Sequence, residues 1–188
     1  MINSKDFESI RKELNEFEEK REQTIQNSRE IIKISKLIIY ALHRSEVDEA
    51  SKYLKEIKTK IKFLDKTKNY DTGISSVAFQ EYVEAVAFYE IIKNSKLPTK
   101  KEMEVDAESY LCGLADLTGE LGRKAVHDAI KKDFVSVLKI KETVEEIYGE
   151  FLKFDLRNGE LRKKSDAIKW NLQKLEDLVF TLNVNARM

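Results

Sequence analysis

One cysteine, one proline, two histidines and six glycines are spread over 188 residues. The lone Cys112 excludes an intramolecular disulfide framework and a cysteine-based zinc site. It reads as a small core residue, because no histidine lies near it in sequence to make it a nucleophile. A di-iron carboxylate bundle needs Glu-x-x-His motifs on two helices. Neither His43 nor His127 lies three residues after a glutamate. With Pro98 as the one proline, little interrupts long helices. No apolar run approaches the roughly 18 residues that would span a bilayer. The start, "MINSKDFESIRKELNEF", is charged from its fifth residue and lacks a signal-peptide core, so a cytoplasmic location is expected. Net charge is also lacking, since 34 basic residues balance 34 acidic ones. The chain is therefore no generic polyanion binder, and any nucleic-acid surface must come from local charge placement.

What remains is 41% hydrophobic and 36% charged, rich in Lys, Glu, Leu and Ile. That mixture predicts an all-α fold. The expectation is one domain over residues 1–188, a bundle of six or seven helices. Ser4 is a plausible cap for a first helix running to Arg44 or Ser45. Such a helix spans about 60 Å, more than the width of a small domain. Its stripe at positions 10, 14, 17, 21, 24, 28, 31, 35, 38 and 42 is apolar at both ends and polar in the middle. Part of it is expected to pack on another subunit, with Phe7, Leu14 and Phe17 buried between subunits or against the bundle. Ser45 then caps a second helix, and "DKTKNYDTGISS" (65–76) reads as a loop. Further helices are expected over about 77–93, 102–131, 135–154 and 159–184, with "DLRNG" (155–159) as a turn. Trp170 reads as a packing residue.

Two helical stretches carry acids where acids are costly. "QEYVEAVAFYE" (80–90) is apolar nearly all round, which marks a buried helix, yet it contains Glu81 and Glu84. "GLADLTGELGR" (113–123) places Asp116 and Glu120 one turn apart on one face. It also holds Gly113, Gly119 and Gly122. Each costs roughly 1 kcal/mol against alanine inside a helix, and a close approach of backbone, metal or ligand would explain them. If the two helices are neighbours, four carboxylates share one pocket and cannot all stay ionised without cations. Oxygen ligands without Cys or His suit Mg2+ or Mn2+. A metal so held can activate water for phosphodiester hydrolysis. The competing reading is that Glu81 and Glu84 pair with lysines across a subunit interface.

Basic residues are locally concentrated. Arg29, Lys33, Lys36 and Tyr40 share one face of the first helix, with Arg21 further up the rod. Lys52 to Lys68 contains seven lysines against Glu56 and Asp65. Arg123 follows Glu120 by three residues, in reach of a bound phosphate, and His127 lies near the same face. A basic face with a tyrosine suits backbone contact and stacking on single-stranded nucleic acid.

Together "FQEYVEAVAFYE" and "GLADLTGELGR" resemble the translin and Trax family, Trax above all. The first-helix stretch "FEEKREQTIQNSREIIKISKLIIYALHR" and "KWNLQKLEDLVFTLNV" near the C-terminus are similar to the same family. The resemblance implies a bundle of about seven helices that assembles into a closed, roughly octameric shell. Eukaryotic shells of this kind mix translin, which mainly binds RNA, with Trax, which supplies the catalytic acids of a Mg2+-dependent endoribonuclease. On that basis Glu81, Glu84, Asp116 and Glu120 match the catalytic and metal-binding acids, and Arg123 matches the basic residue beyond them. The chain is shorter than Trax, with complete acids, so a self-sufficient homo-oligomer is expected; a translin-like partner stays open. The resulting expectation is cleavage of single-stranded RNA, with Arg21, Arg29, Lys33, Lys36 and Arg123 holding the strand. Two alternatives stand beside it. One is a non-catalytic translin-like oligomer binding single-stranded RNA or DNA. The other is an all-α nucleotide pyrophosphohydrolase, whose usual ExxD is replaced here by DxxxE.

Overall fold

The computed structural model describes residues 3–64 and 72–185. Among them are seven α-helices and no strand, as the composition predicts. They are α1 (Ser4–His43), α2 (Val47–Lys60), α3 (Ile74–Asn94), α4 (Lys100–Met103), α5 (Ala107–Ile130), α6 (Phe134–Phe151) and α7 (Glu160–Asn185). A short 3-10 turn, Ile61–Phe63, follows α2. The expected loop at 65–76 falls partly outside the described residues, as do Lys66 and Lys68 of the lysine run.

α3 is the centre of the bundle. α1 covers it on one side and α5 on another, while α5 also carries α6 and α7. This explains a helix that is apolar almost all round: Tyr82, Val83 and Ala85 through Tyr89 are all buried. α1 behaves as two halves. From Ile31 to Leu42 its stripe is buried against the bundle, whereas residues 4–20 are exposed throughout. Phe7, Ile10, Leu14 and Phe17 thus form an exposed apolar row on a single protomer. Trp170 does not pack as expected; it is exposed on α7, as is Phe180.

Several helix ends differ from the sequence reading. Asn3, not Ser4, caps α1, its side chain accepting from the Lys5 amide. Ser45 does not cap α2, whose N-cap is Glu46 with no side-chain bond. Instead Ser45 adopts a left-handed conformation beyond the end of α1. The helix expected over 102–131 is two, because Glu104 turns left-handed and Asp106 starts α5 by accepting from the Ser109 amide. Periodicity hides this break, since no glycine or proline marks it. The positive-φ residues are Ser45, Ser95, Glu104 and Lys132, and no glycine is among them.

Candidate functional site

α3 and α5 come together at Gly113. A Cβ on that residue would lie 2.6 Å from the Gln80 carbonyl oxygen and 2.6 Å from the Val83 Cβ. Only hydrogen fits in that space, so one of the three unusual glycines is explained by backbone approach. Gly119 and Gly122 are not crowded: the nearest atom to a Cβ on Gly119 is 3.7 Å away, and Gly122 has none within 4 Å. The Gly113 contact sits beside Glu81 and Glu84 on α3 and one turn from Asp116 on α5. It therefore brings the two acidic pairs within electrostatic reach of each other.

Glu81 and Glu84 both feel the charges of Asp116 and Glu120. Burial pushes Glu84 up to about 8, and the charges of Asp116, Glu81 and Glu120 add to the effect while Lys164 opposes it. Burial likewise raises Glu81 against the pull of Lys36, and raises Asp116 despite a hydrogen bond from Lys164. Glu120 moves the other way. A hydrogen bond from His43 lowers it, with burial opposing and Arg123 assisting.

The partners are unequally shared. Neither Glu81 nor Glu84 makes a hydrogen bond or ion pair with a described residue. Asp116 Oδ2 accepts from Lys164 Nζ at 2.5 Å, and the same ammonium donates to Gln80 Oε1 at 2.9 Å. Glu120 Oε2 lies 2.5 Å from His43 Nε2 and 3.9 Å from Arg123 Nη1. The His43 ring is buried, tilted against Phe88 at 5.2 Å and against His127 at 5.7 Å between centroids. With Nε2 turned to Glu120, its Nδ1 is buried without a hydrogen-bond partner.

Six of the sequence-selected residues thus converge: the four acids, Lys36 beside Glu81, and Arg123 beside Glu120. Arg29 and Lys33 lie exposed on the same face of α1 as Lys36. Arg21 does not join them; it sits about 22 Å up the helix from Lys36 and pairs with Glu18 at 3.2 Å. His127 reaches the site only through the His43 ring. Cys112 is buried in the core, its thiol pushed up to about 11 by burial. Lys164, Gln80 and His43 were not selected by the sequence. Position 43 extends the 29, 33, 36, 40 spacing, which offered a signal for His43. Lys164 stands in the charged run "RKKSD" and offered none.

Among the described residues no three His, Cys, Asp or Glu side chains already meet as a metal-binding group. The donor chemistry fits a hard divalent cation nonetheless. All four carboxylates are buried or half-buried, Glu81 and Glu84 have no hydrogen bond or ion pair with a described residue, and burial pushes Glu84 up to about 8.

The fold and groove define an all-helical protein with an acid cluster beside a basic helix face. The sequence profile described as "Translin family" matches residues 19–186. An uncharacterized protein of Methanocaldococcus jannaschii is 33% identical over 175 residues, covering 89% of this chain and 78% of its own. Rat translin-associated protein X is 25% identical, covering 95% of this chain and 77% of its own. Human translin is 32% identical over 85 residues, which is 45% of this chain and 37% of translin. The crystal structure of apo-NeC3PO superposes with a TM-score of 0.88 at 30% identity, covering 96% of this chain and 97% of that one. A structure of AfC3PO with duplex RNA gives 0.86 at 29% identity, with coverage of 96% and 97%. The chain belongs to the translin family. It is similar to both translin and translin-associated protein X.

Proposed function

We propose that this protein is a metal-dependent endoribonuclease that cleaves RNA strands within a homo-oligomeric, roughly octameric shell. The observation that carries the reading is the coupled cluster itself. Two acidic pairs from separate helices come together where Gly113 lets α3 and α5 touch, and burial, helped by the neighbouring acids, drives Glu84 up to about 8. Glu81, Glu84, Asp116 and Glu120 would hold Mg2+ or Mn2+, which supplies Lewis-acid polarisation of a phosphoryl group and activation of water. Lys36 and Arg123 flank the acids and would bind the phosphates on either side. Arg29 and Lys33 extend that track, and exposed Tyr40 offers a ring for base stacking. Glu84 lies deep between α3 and its neighbours, which favours a strand that can bend over a rigid duplex. The duplex RNA bound to AfC3PO supports RNA as the ligand class. The exposed apolar row of Phe7, Ile10 and Leu14 supports self-association.

The test is cleavage of labelled single-stranded and duplex RNA in Mg2+ and in EDTA, by the wild type and by Glu84→Ala. Metal-dependent product from the wild type alone supports the reading. A second reading, a translin-like RNA-binding oligomer without catalysis, is favoured by one observation: Lys164 and His43 already engage Asp116 and Glu120. RNA binding with no metal-dependent product would select it.

A further inference from the structure

Lys164 on α7 is the one ammonium, among the described residues, that hydrogen-bonds into the acid cluster. Its Nζ bridges α5 and α3 by donating to Asp116 Oδ2 and Gln80 Oε1. The lysine side chain is 22% exposed and that of Asp116 35%, so the bridge is half-buried and open to solvent on one side. Glu160, one turn earlier on α7, lies 3.7 Å from the same Nζ and is 64% exposed. Lys164 therefore has two carboxylate partners, one within the cluster and one at its rim.

We propose that Lys164 is a built-in counter-ion that occupies Asp116 until a divalent cation displaces it toward Glu160. The inference rests on the metal-binding reading above. Four clustered carboxylates repel one another, and an ammonium supplied by the chain relieves part of that repulsion. It does so by covering an oxygen that a divalent cation would also need. Lys164 thus lets the groove stay folded without metal, and it weakens metal binding in return. Lys164 is a positioning residue in this role, acting through Asp116. A lysine that merely ties α7 to α3 and α5 would instead help preserve the metal site.

The two roles differ in the sign of one measurement. Mn2+ binding to the full chain is followed by electron paramagnetic resonance, and melting is recorded in EDTA and in Mn2+. Lys164→Met should tighten Mn2+ binding about tenfold, equivalent to ~1.4 kcal/mol. It should also lower the melting temperature in EDTA, and Mn2+ should restore more stability to it than to the wild type. Lys164→Gln keeps a hydrogen-bond donor without the charge and should fall between. Lys164→Arg keeps the charge and should bind Mn2+ no tighter than wild type. Unchanged or weaker Mn2+ binding by both Lys164→Met and Lys164→Gln overturns the proposal. Should Lys164→Met fail to fold in EDTA, refolding on Mn2+ addition supports it, and failure to refold overturns it. Absence of Mn2+ binding by wild type and Lys164→Met alike would sink the metal reading itself. Wild-type binding without tightening in the variants sinks the Lys164 role alone.

Discussion

Glu81 and Glu84 reach the groove from a helix buried on nearly every side, and no described residue donates to either. Asp116 and Glu120 reach it from the facing helix, and each is met by a side chain from elsewhere, Lys164 or His43. The same residue type is consequently shifted in opposite directions within one cluster. Glu84 is driven up by burial, and Glu120 is drawn down by the His43 hydrogen bond. Desolvation rules Glu81, Glu84 and Asp116, and a local donor outweighs it at Glu120 alone. The α3 half feels Lys36 and Lys164 without a direct hydrogen bond or ion pair, so an added cation is expected to act chiefly there.

The largest effect that would break this comparison is on catalysis. Glu84→Ala and Asp116→Ala should each reduce RNA cleavage by on the order of 100-fold or more, measured as initial rates in Mg2+. Their stabilities should diverge: Asp116→Ala strands Lys164 and lowers the melting temperature, whereas Glu84→Ala removes an unpaired buried acid. Full activity in both variants would end the assignment.

Gly113→Ala tests whether the α3–α5 contact assembles the two halves. Its Cβ meets backbone at 2.6 Å, so the helices must part, at a cost of about 1–3 kcal/mol. For a chain of this size each kcal/mol lowers the melting temperature by roughly 2–4 °C. Gly122→Ala, with open space around it, should instead stabilise by up to about 1 kcal/mol. Calorimetry of both variants separates crowding from helix propensity.

pH sharpens the contrast further. The folded pKa of Glu84 lies above the ordinary glutamate value, so the folded state holds a proton that the unfolded chain releases in that window. Stability in EDTA should therefore fall as pH rises from about 4.5 toward 8. Glu81 and Asp116 are raised too and act in the same sense. Glu120 is lowered, so its contribution is present above the ordinary value and lost only in more acidic solution. Glu84→Gln should flatten the slope between pH 5 and 8 in thermal melts, and Glu120→Gln should not. The smallest effect belongs to the basic track. Lys33→Ala should weaken RNA binding modestly and reduce the salt slope by about 0.7, the value for one phosphate contact on a single strand.

Much of this organisation was legible in the sequence, because the signals were local. The apolar surround of Glu81 and Glu84 marked a buried helix. The four-residue step from Asp116 to Glu120 fixed a shared face, and Gly113 marked a close approach. Gly119 and Gly122 looked the same on paper but answer to no neighbour, since crowding is a tertiary property. Lys164 was invisible for the same reason: 48 residues separate it from Asp116, and its own surroundings are ordinary charged helix. The break at Glu104 escaped notice because a glutamate, not a glycine, takes the left-handed turn. The N-terminal stripe of α1 read as buried by pattern, but a pattern cannot say which molecule does the burying.

The left-handed residues at Ser45, Ser95, Glu104 and Lys132 carry one more implication. A side chain in that conformation costs roughly 1–2 kcal/mol, a penalty glycine escapes. The protein therefore holds stability in reserve at its corners, at positions that are not among the groove residues. Glycine substitutions there would offer a way to harden the scaffold, for work at elevated temperature or in mixed solvents, while the acidic groove keeps its strained charge balance.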